Sequence, residues 1–378
     1  MNEFDTEVLS YFLEELGYRE IPVPEKADIV VFNTCAVREN VDLKVYGRLG
    51  QAMDWKRKNP DMIIAVCGCV ARKDGQKMLD RFPHVDLVLG PGDIQHFQAH
   101  IIGILDGEGP VVAVSDTGDE LDLSASRKSP VSAWVPVSAG CDCKCAYCIV
   151  PFVRGNLRSR SPEKVISEVE NLLEQGYKEI ILLGQNVNRY GIDLRPQVKF
   201  SDLIYKLGKF GGNWRLRFVA PHPGGFSQEL ISAMAEVPQV CEHVHLPIQA
   251  GDDMVLKRMR RGYTVEKFIN LVKDLRITIP GISITTDIIV GFPGETEEQF
   301  ENTLRIVEEV RFDNAFMFAY SPRDWTEASK MENQVPREES MRRLYKLIKL
   351  QNSITREKNS EFIGEKLEVL VEGPSKKD

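Results

Sequence analysis

Apolar and polar positions along the chain fall into two successive alternations of short apolar runs and amphipathic stretches. In residues 5–17, Leu9, Phe12, Leu13 and Leu16 share one face, which predicts an amphipathic helix. Asp28 to Asn33 reads as a buried strand ending at Thr34–Cys35, and a charged helix follows over about 39–58. Met62 to Val66 is the next strand, ending at Cys67–Gly68–Cys69. A short helix, a strand from Val85 to Leu89 and a helix from Asp93 to about Leu105 complete this set. Strands alternating with helices predict a doubly wound parallel sheet over residues 1–114. Residues 115–130 are polar and weakly patterned, and read as a linker.

The second alternation covers 131–358, with strands at 131–138, 178–184, 214–220, 242–249, 282–290 and 314–320. Helical stretches follow at 162–176, 201–210, 227–236, 264–277, 296–310 and 337–358. Six βα units, short of the eight of a closed barrel, predict a partial barrel open on one side. The chemistry-bearing segments then share the rim at the strands' C-terminal ends, where barrel sites form. They are the cysteine loop after the first strand, Gly184–Gln185–Asn186, Pro221–His222–Pro223, Pro247 to Gly251, Gly291 to Glu295, and Tyr320 to Arg323.

Each of these has a plainer reading. Gly291–Phe292–Pro293–Gly294 is also a simple turn opening a helix, and Gln185 and Gln249 are also surface amides. His222 is as well suited to a structural place as to a substrate contact. Arg154, Arg158 and Arg160, following the cysteine loop, suit a phosphate-rich substrate. Lys257, Arg258, Arg260 and Arg261 read as a solvated helix face. From Phe362 to Glu372 apolar residues alternate as in a strand.

Composition narrows the class. The 378 residues, 43% hydrophobic and 28% charged, suit a globular protein of two or three domains. No apolar run approaches the roughly 20 residues that span a bilayer, and no secretory leader is visible, so a cytoplasmic protein is expected. The net charge of −8 argues against bulk nucleic-acid binding while leaving room for a local basic groove.

Of eight cysteines, three form Cys141-x3-Cys145-x2-Cys148, with Tyr147 just before the last. Three thiolates on a short loop can hold three corners of an iron–sulfur cubane and leave the fourth iron open. Structural zinc is the alternative, although no second Cys-x2-Cys knuckle is present, and a disulfide is the other. Cys143 fits no ligand position and reads as a bystander. Cys35 and Cys69 each follow a strand at one sheet edge, as metal ligands or as small buried core residues. Cys67 is a weaker candidate for a third thiolate there.

The cysteine loop resembles the signature of radical S-adenosylmethionine (SAM) enzymes, and the chain resembles the methylthiotransferases of that superfamily nearly end to end. The matching pieces are Asn33–Thr34–Cys35, Gly68–Cys69, Gly140 to Gly155, Leu183 to Val187, His245–Leu246–Pro247 and Asp287 to Glu295. Arg217–Phe218 leading to Pro221–His222–Pro223 is most similar to the tRNA-modifying branch.

The resemblance implies an N-terminal methylthiotransferase domain, a radical SAM partial barrel and a C-terminal TRAM β-barrel beginning in 361–378. It implies two 4Fe-4S clusters and SAM. Cys141, Cys145 and Cys148 would hold the SAM-cleaving cluster, and Cys35 and Cys69 would be two of three ligands of an auxiliary cluster. Tyr147, Gly184, Gln185, Gln249, Asp287, Ile289 and Gly291 would adjoin the cofactor. The substrate would be a tRNA anticodon loop, methylthiolated at carbon 2 of N(6)-isopentenyladenosine at position 37. The electron donor would be a flavodoxin or ferredoxin, and the enzyme a monomer. Two departures stand out: the family's first auxiliary cysteine would fall just before Met1, and only the first strand of the TRAM module is represented. Two other functions remain open: methylthiolation of another tRNA adenosine or a ribosomal protein, and a noncatalytic zinc- and RNA-binding protein.

Overall fold

The computed structural model describes residues 1–36, 39–115 and 122–373, without the side chains of 39–41. The rest of the expected linker and the last residues of the expected TRAM segment lie outside the described residues. The chain forms two compact units. The first comprises 1–128 with 139–143 and 148–160; the second comprises 129–138, 144–147 and 161–378.

The first unit opens with helix α1 (Asn2–Glu15), then strand β1 (Ile29–Thr34), α2 (Glu39–Lys58) and β2 (Ile63–Gly68). Next come α3 (Cys69–Asp74), α4 (Gln76–Arg81), β3 (Leu87–Leu89), α5 (Phe97–Leu105) and β4 (Val111–Ala113). All four strands are parallel, in the order β1-β2-β3-β4. β2 is buried throughout, as befits a strand covered on both faces. Val111–Ala113 is a strand that its three-residue length kept out of the sequence reading. Residues 126–128 are bound to α1 and its extension: the Ser126 amide donates to the Glu7 carbonyl, Arg127 pairs with Glu7, and Lys128 with Glu20.

The second unit begins at β5 (Ser132–Pro136). The two-residue strands β6 (Ser138–Ala139) and β7 (Arg158–Ser159) flank the cysteine loop and α6 (Val150–Arg154), of which 139–143 and 148–160 belong to the first unit. The chain continues through α7 (Pro162–Glu174), β8 (Glu179–Leu183), α8 (Phe200–Gly208), β9 (Arg215–Phe218) and α9 (Gln228–Glu236). It ends with β10 (His243–His245), α10 (Asp253–Arg258), α11 (Val265–Thr278), β11 (Ser283–Val290), α12 (Glu297–Val310), β12 (Asn314–Ala319) and α13 (Arg337–Ser360). Helix starts are set by side chains that take up free backbone N–H groups: Ser161 at α7, Ser227 at α9, Asp252 at α10, Thr264 at α11, and Thr296 with Gln299 at α12.

Six strands of this unit form two three-stranded parallel sheets, β5-β8-β9 and β10-β11-β12. Among the described residues one bridge, Leu216 to Val240, links β9 to the β10 side, through the Leu216 N–H to the Gln239 carbonyl and the Cys241 N–H to the Leu216 carbonyl. The strand expected over 242–249 is only three residues long. Pro247 lacks a donor, and pairing resumes only as an isolated bridge at Gln249, which sits at φ 70°. Strand β11 alternates between buried and half-buried positions, so Thr285, Asp287 and Ile289 share the more open face.

The expected final strand does not form among the described residues. Ile363, Leu367, Val369 and Val371 are exposed beyond α13, because a lone strand has no ladder partner there.

Candidate active site

At the C-terminal edge of the first sheet the residues Asn33–Thr34–Cys35 are held by side-chain bonds. The Asn33 amide donates to the Asn2 carbonyl and to Thr6 Oγ1, both at 2.8 Å. Thr34 Oγ1 donates to the Cys67 carbonyl at 2.6 Å and accepts the Val70 N–H at 3.1 Å. These bonds tie the end of β1 to the first turn of α3, where Cys69 sits. Gly68 between them has φ 93°, and a Cβ there would run into the Thr34 carbonyl. Cys35 and Cys69 thus follow two adjacent strands in fixed register. Cys67 is in β2 itself, and burial pushes its thiol up.

Arg154 departs from the sequence reading. Its Nη2 lies 2.5 Å from Asp5, and its Nε donates to Cys69 Sγ at 3.4 Å. Both side chains of the ion pair are buried. Arg160 is likewise buried and pairs with Asp122 at 2.6 Å. Neither guanidinium is presented to a phosphate: a planar fork able to satisfy buried carboxylate and sulfur is used inside the unit.

In the cysteine loop, Gly140 has φ 75°, and a Cβ would strike the Asn156 carbonyl. The Cys141 amide donates to the Gly155 carbonyl at 3.1 Å. The sulfur atoms of Cys141 and Cys143 and a carboxylate oxygen of Asp142 lie within 4.8 Å of one another. A side-chain hydrogen bond to Cys143 and burial raise the Cys141 thiol, with Cys148 adding to the effect. Cys143, read as a bystander, is therefore a close neighbour of Cys141.

Residues 144–147 belong to the second unit. There the Ala146 N–H donates to the Met259 carbonyl, and the Ala146 carbonyl accepts from Ala328. Tyr147 packs edge-on to Phe292, with centroids 6.5 Å apart. Cys145 Sγ accepts from Arg261 Nη1 at 3.4 Å. Arg261 is 6% exposed and also donates to the Tyr263 hydroxyl and the Pro247 carbonyl. It is thus not part of a solvated face, unlike Arg260, which pairs with Glu327 in the open.

Around the rim, Gln249 is held at its positive φ by two backbone bonds to β11, to the Asp287 carbonyl and from the Ile289 N–H, both 2.8 Å. Its buried side-chain oxygen has no partner among the described residues, and the same holds for Gln185 and for Ser138 Oγ. Unpaired buried acceptors are costly, and their gathering at strand ends fits a polar ligand. Gly184 lets the chain pass Ser138, whose hydroxyl a Cβ would crowd at 2.9 Å. Asp287 lies 3.2 Å from His245 Nε2, a pairing that the sequence reading missed and that the two-strand register supplies.

Gly291 has its own structural reason: a Cβ at its φ of 71° would collide with Ser340 of α13. Its N–H donates to Glu295 at 2.6 Å, and Glu295 pairs with the buried Arg343 at 2.8 Å. His222 Nδ1 accepts the Gly224 N–H at 3.1 Å, and its ring stands edge-on to Tyr263. Burial first, then the Arg261 and Arg189 charges, push His222 down to about 3, so it is neutral under all ordinary conditions.

Among the described residues the close group is Cys141, Asp142 and Cys143, and Cys145 and Cys148 are not part of it. Thiols as donors are of the type iron–sulfur clusters take, and the orphaned amide oxygens suit a polar cofactor. Parallel partial barrel and three-cysteine rim loop together define a radical SAM enzyme. The chain matches the radical SAM superfamily over residues 135–307 and an uncharacterized protein family, UPF0004, over 1–90. In fold it is similar to TsrM, a radical SAM methyltransferase from Kitasatospora setae. The TM-score is 0.65 at 17% identity, covering 86% of this chain and 71% of that one.

Across its whole length the chain is 47% identical to a tRNA-2-methylthio-N(6)-dimethylallyladenosine synthase of Moorella thermoacetica, covering 86% of that protein. It is 48% identical to one of Acetivibrio thermocellus, covering 79% of it. The chain belongs to the family of tRNA-2-methylthio-N(6)-dimethylallyladenosine synthases.

Proposed function

We propose that this chain is a tRNA methylthiotransferase that places a methylthio group on carbon 2 of N(6)-isopentenyladenosine at tRNA position 37. The observation that carries the reading is an identity of 47%, over the whole of this chain and 86% of the relative, to a synthase of that name. Cys141, Cys145 and Cys148 are the proposed ligands of a 4Fe-4S cluster, and Cys35 and Cys69 ligands of an auxiliary one. When bound with SAM, the first cluster supplies the electron that yields the 5'-deoxyadenosyl radical needed to attack an inert aromatic C–H. Gln185 and Gln249 offer unpaired side-chain acceptors to the amino and hydroxyl groups of SAM. Gly184, Asp287, Ile289 and Gly291 shape that rim, and Tyr147 packs beside the last cysteine. His222, neutral and held by Gly224 and Tyr263, presents an uncharged edge to a base.

In this reading, residues 1–114 are the methylthiotransferase domain, 115–130 a linker, 131–358 the radical SAM barrel and 361–378 the opening of a TRAM module. The anticodon loop is the part of tRNA engaged, since splayed single-stranded bases are what such enzymes reach. A flavodoxin- or ferredoxin-type donor, a monomeric state and the cytoplasm complete the proposal. No helix among the described residues is long and apolar enough to cross a membrane.

The test is mass spectrometry of nucleosides after anaerobic reaction with SAM, reductant and tRNA bearing isopentenyladenosine, with ribosomal proteins as a parallel substrate. A methylthio nucleoside in the tRNA supports the reading. Modification of a ribosomal protein alone overturns it.

A further inference from the structure

We infer that Arg261 sets the reduction potential of the cluster bound through Cys145, by placing an uncompensated positive charge against that ligand's sulfur. The inference rests on the proposed role of Cys145.

Two buried arginines each donate to a cysteine sulfur at 3.4 Å, Arg154 to Cys69 and Arg261 to Cys145. Their charges are answered differently. Arg154 spends its fork on Asp5, so the pair is close to neutral beside Cys69. Arg261 has no carboxylate in reach among the described residues. Besides the sulfur, its partners are the Tyr263 hydroxyl and the Pro247 carbonyl, both neutral. A guanidinium buried without a counter-charge is costly, and the natural remedy is an anion delivered to the site. A thiolate-ligated cluster is such an anion.

The placement is built. Tyr263, which accepts from Arg261, itself donates to the Ile248 carbonyl at 2.8 Å. The backbone on either side of Ala146 is bonded to Met259 and Ala328, which fixes the neighbouring Cys145. One-electron reduction adds a negative charge to the cluster, with the electron coming from an external reductant. A fixed positive charge at a ligand sulfur favours the reduced form and raises the potential.

The experiment is potentiometric electron paramagnetic resonance on the anaerobically reconstituted full chain carrying Cys35→Ala and Cys69→Ala, so that one cluster is observed. In that background Arg261→Gln is expected to weaken reduction at least tenfold, a fall of 59 mV for one electron. Arg261→Lys, which keeps the charge, is expected to lose less than half of that. An unchanged potential in Arg261→Gln overturns the inference. A second readout needs no substitution at Arg261: with 15N-labelled arginine, the reduced cluster is expected to show a nitrogen coupling, and its absence overturns the inference. If the background protein binds zinc and no iron, it is the underlying reading of Cys145 that fails.

Discussion

Arg154 and Asp5 form a buried ion pair whose partners come from helices far apart in sequence, and removing one partner strands the other's charge. Asp5→Asn is therefore expected to destabilise the first unit by about 3–5 kcal/mol, and Asp5→Leu with Arg154→Met to recover much of that loss. Urea unfolding of the two variants checks both statements. Sequence reasoning placed these arginines near the cysteine loop and missed their burial, because a charge run looks the same whether it meets water or a carboxylate brought by the fold. His222 carries a pH prediction. Its folded value of about 3 lies below an unfolded value of about 6.5. The unfolded chain takes up the proton first, so the group's stability contribution is full above about 6.5 and is lost as pH falls toward 3. His222→Gln is expected to flatten stability over that window, measured by denaturation at stepped pH; an unaltered slope would contradict the assignment.

At the scale of elements, agreement between pattern and structure follows from redundancy. α12 is announced by its capping pair Thr296 and Gln299 as well as by its apolar stripe, and α7 by Ser161 before Pro162. Where one signal stands alone the reading runs long, as at β10, whose apolar run continues through Pro247 after the ladder has ended. Cross-element contacts were not legible: nothing local pairs Asp287 with His245 or Glu295 with Arg343. The latter fastens the Gly291–Glu295 loop to α13. Arg343→Met is expected to cost about 3–5 kcal/mol by leaving Glu295 buried without its partner, measured as unfolding free energy. At the other edge, Gly68→Ala faces both a left-handed φ and the Thr34 carbonyl. The backbone strain alone is expected to cost about 1–3 kcal/mol.

For the molecule as a whole, class and chemistry were legible early because the three-cysteine spacing and the succession of βα units are local in sequence. The division into compact units was less so. Residues 139–143 and 148–160 join the first unit although they lie within the stretch read as barrel. The segment beyond α13 exposes Ile363, Leu367, Val369 and Val371; among the described residues Glu368 loosely approaches Arg215 at 3.8 Å, and the Glu372 charge acts on Arg217. Removing 365–378 is therefore expected to change unfolding stability by less than about 1 kcal/mol.

The most direct test of the account is iron content and 5'-deoxyadenosine formation by the anaerobically reconstituted chain, compared with single Cys→Ala variants of the loop. About four irons are expected to depend on Cys141, Cys145 and Cys148 together. SAM cleavage should disappear with any of the three and survive Cys143→Ala. Loss of cleavage in Cys143→Ala with retention in Cys145→Ala would contradict the assignment, as would a chain that holds zinc in place of iron.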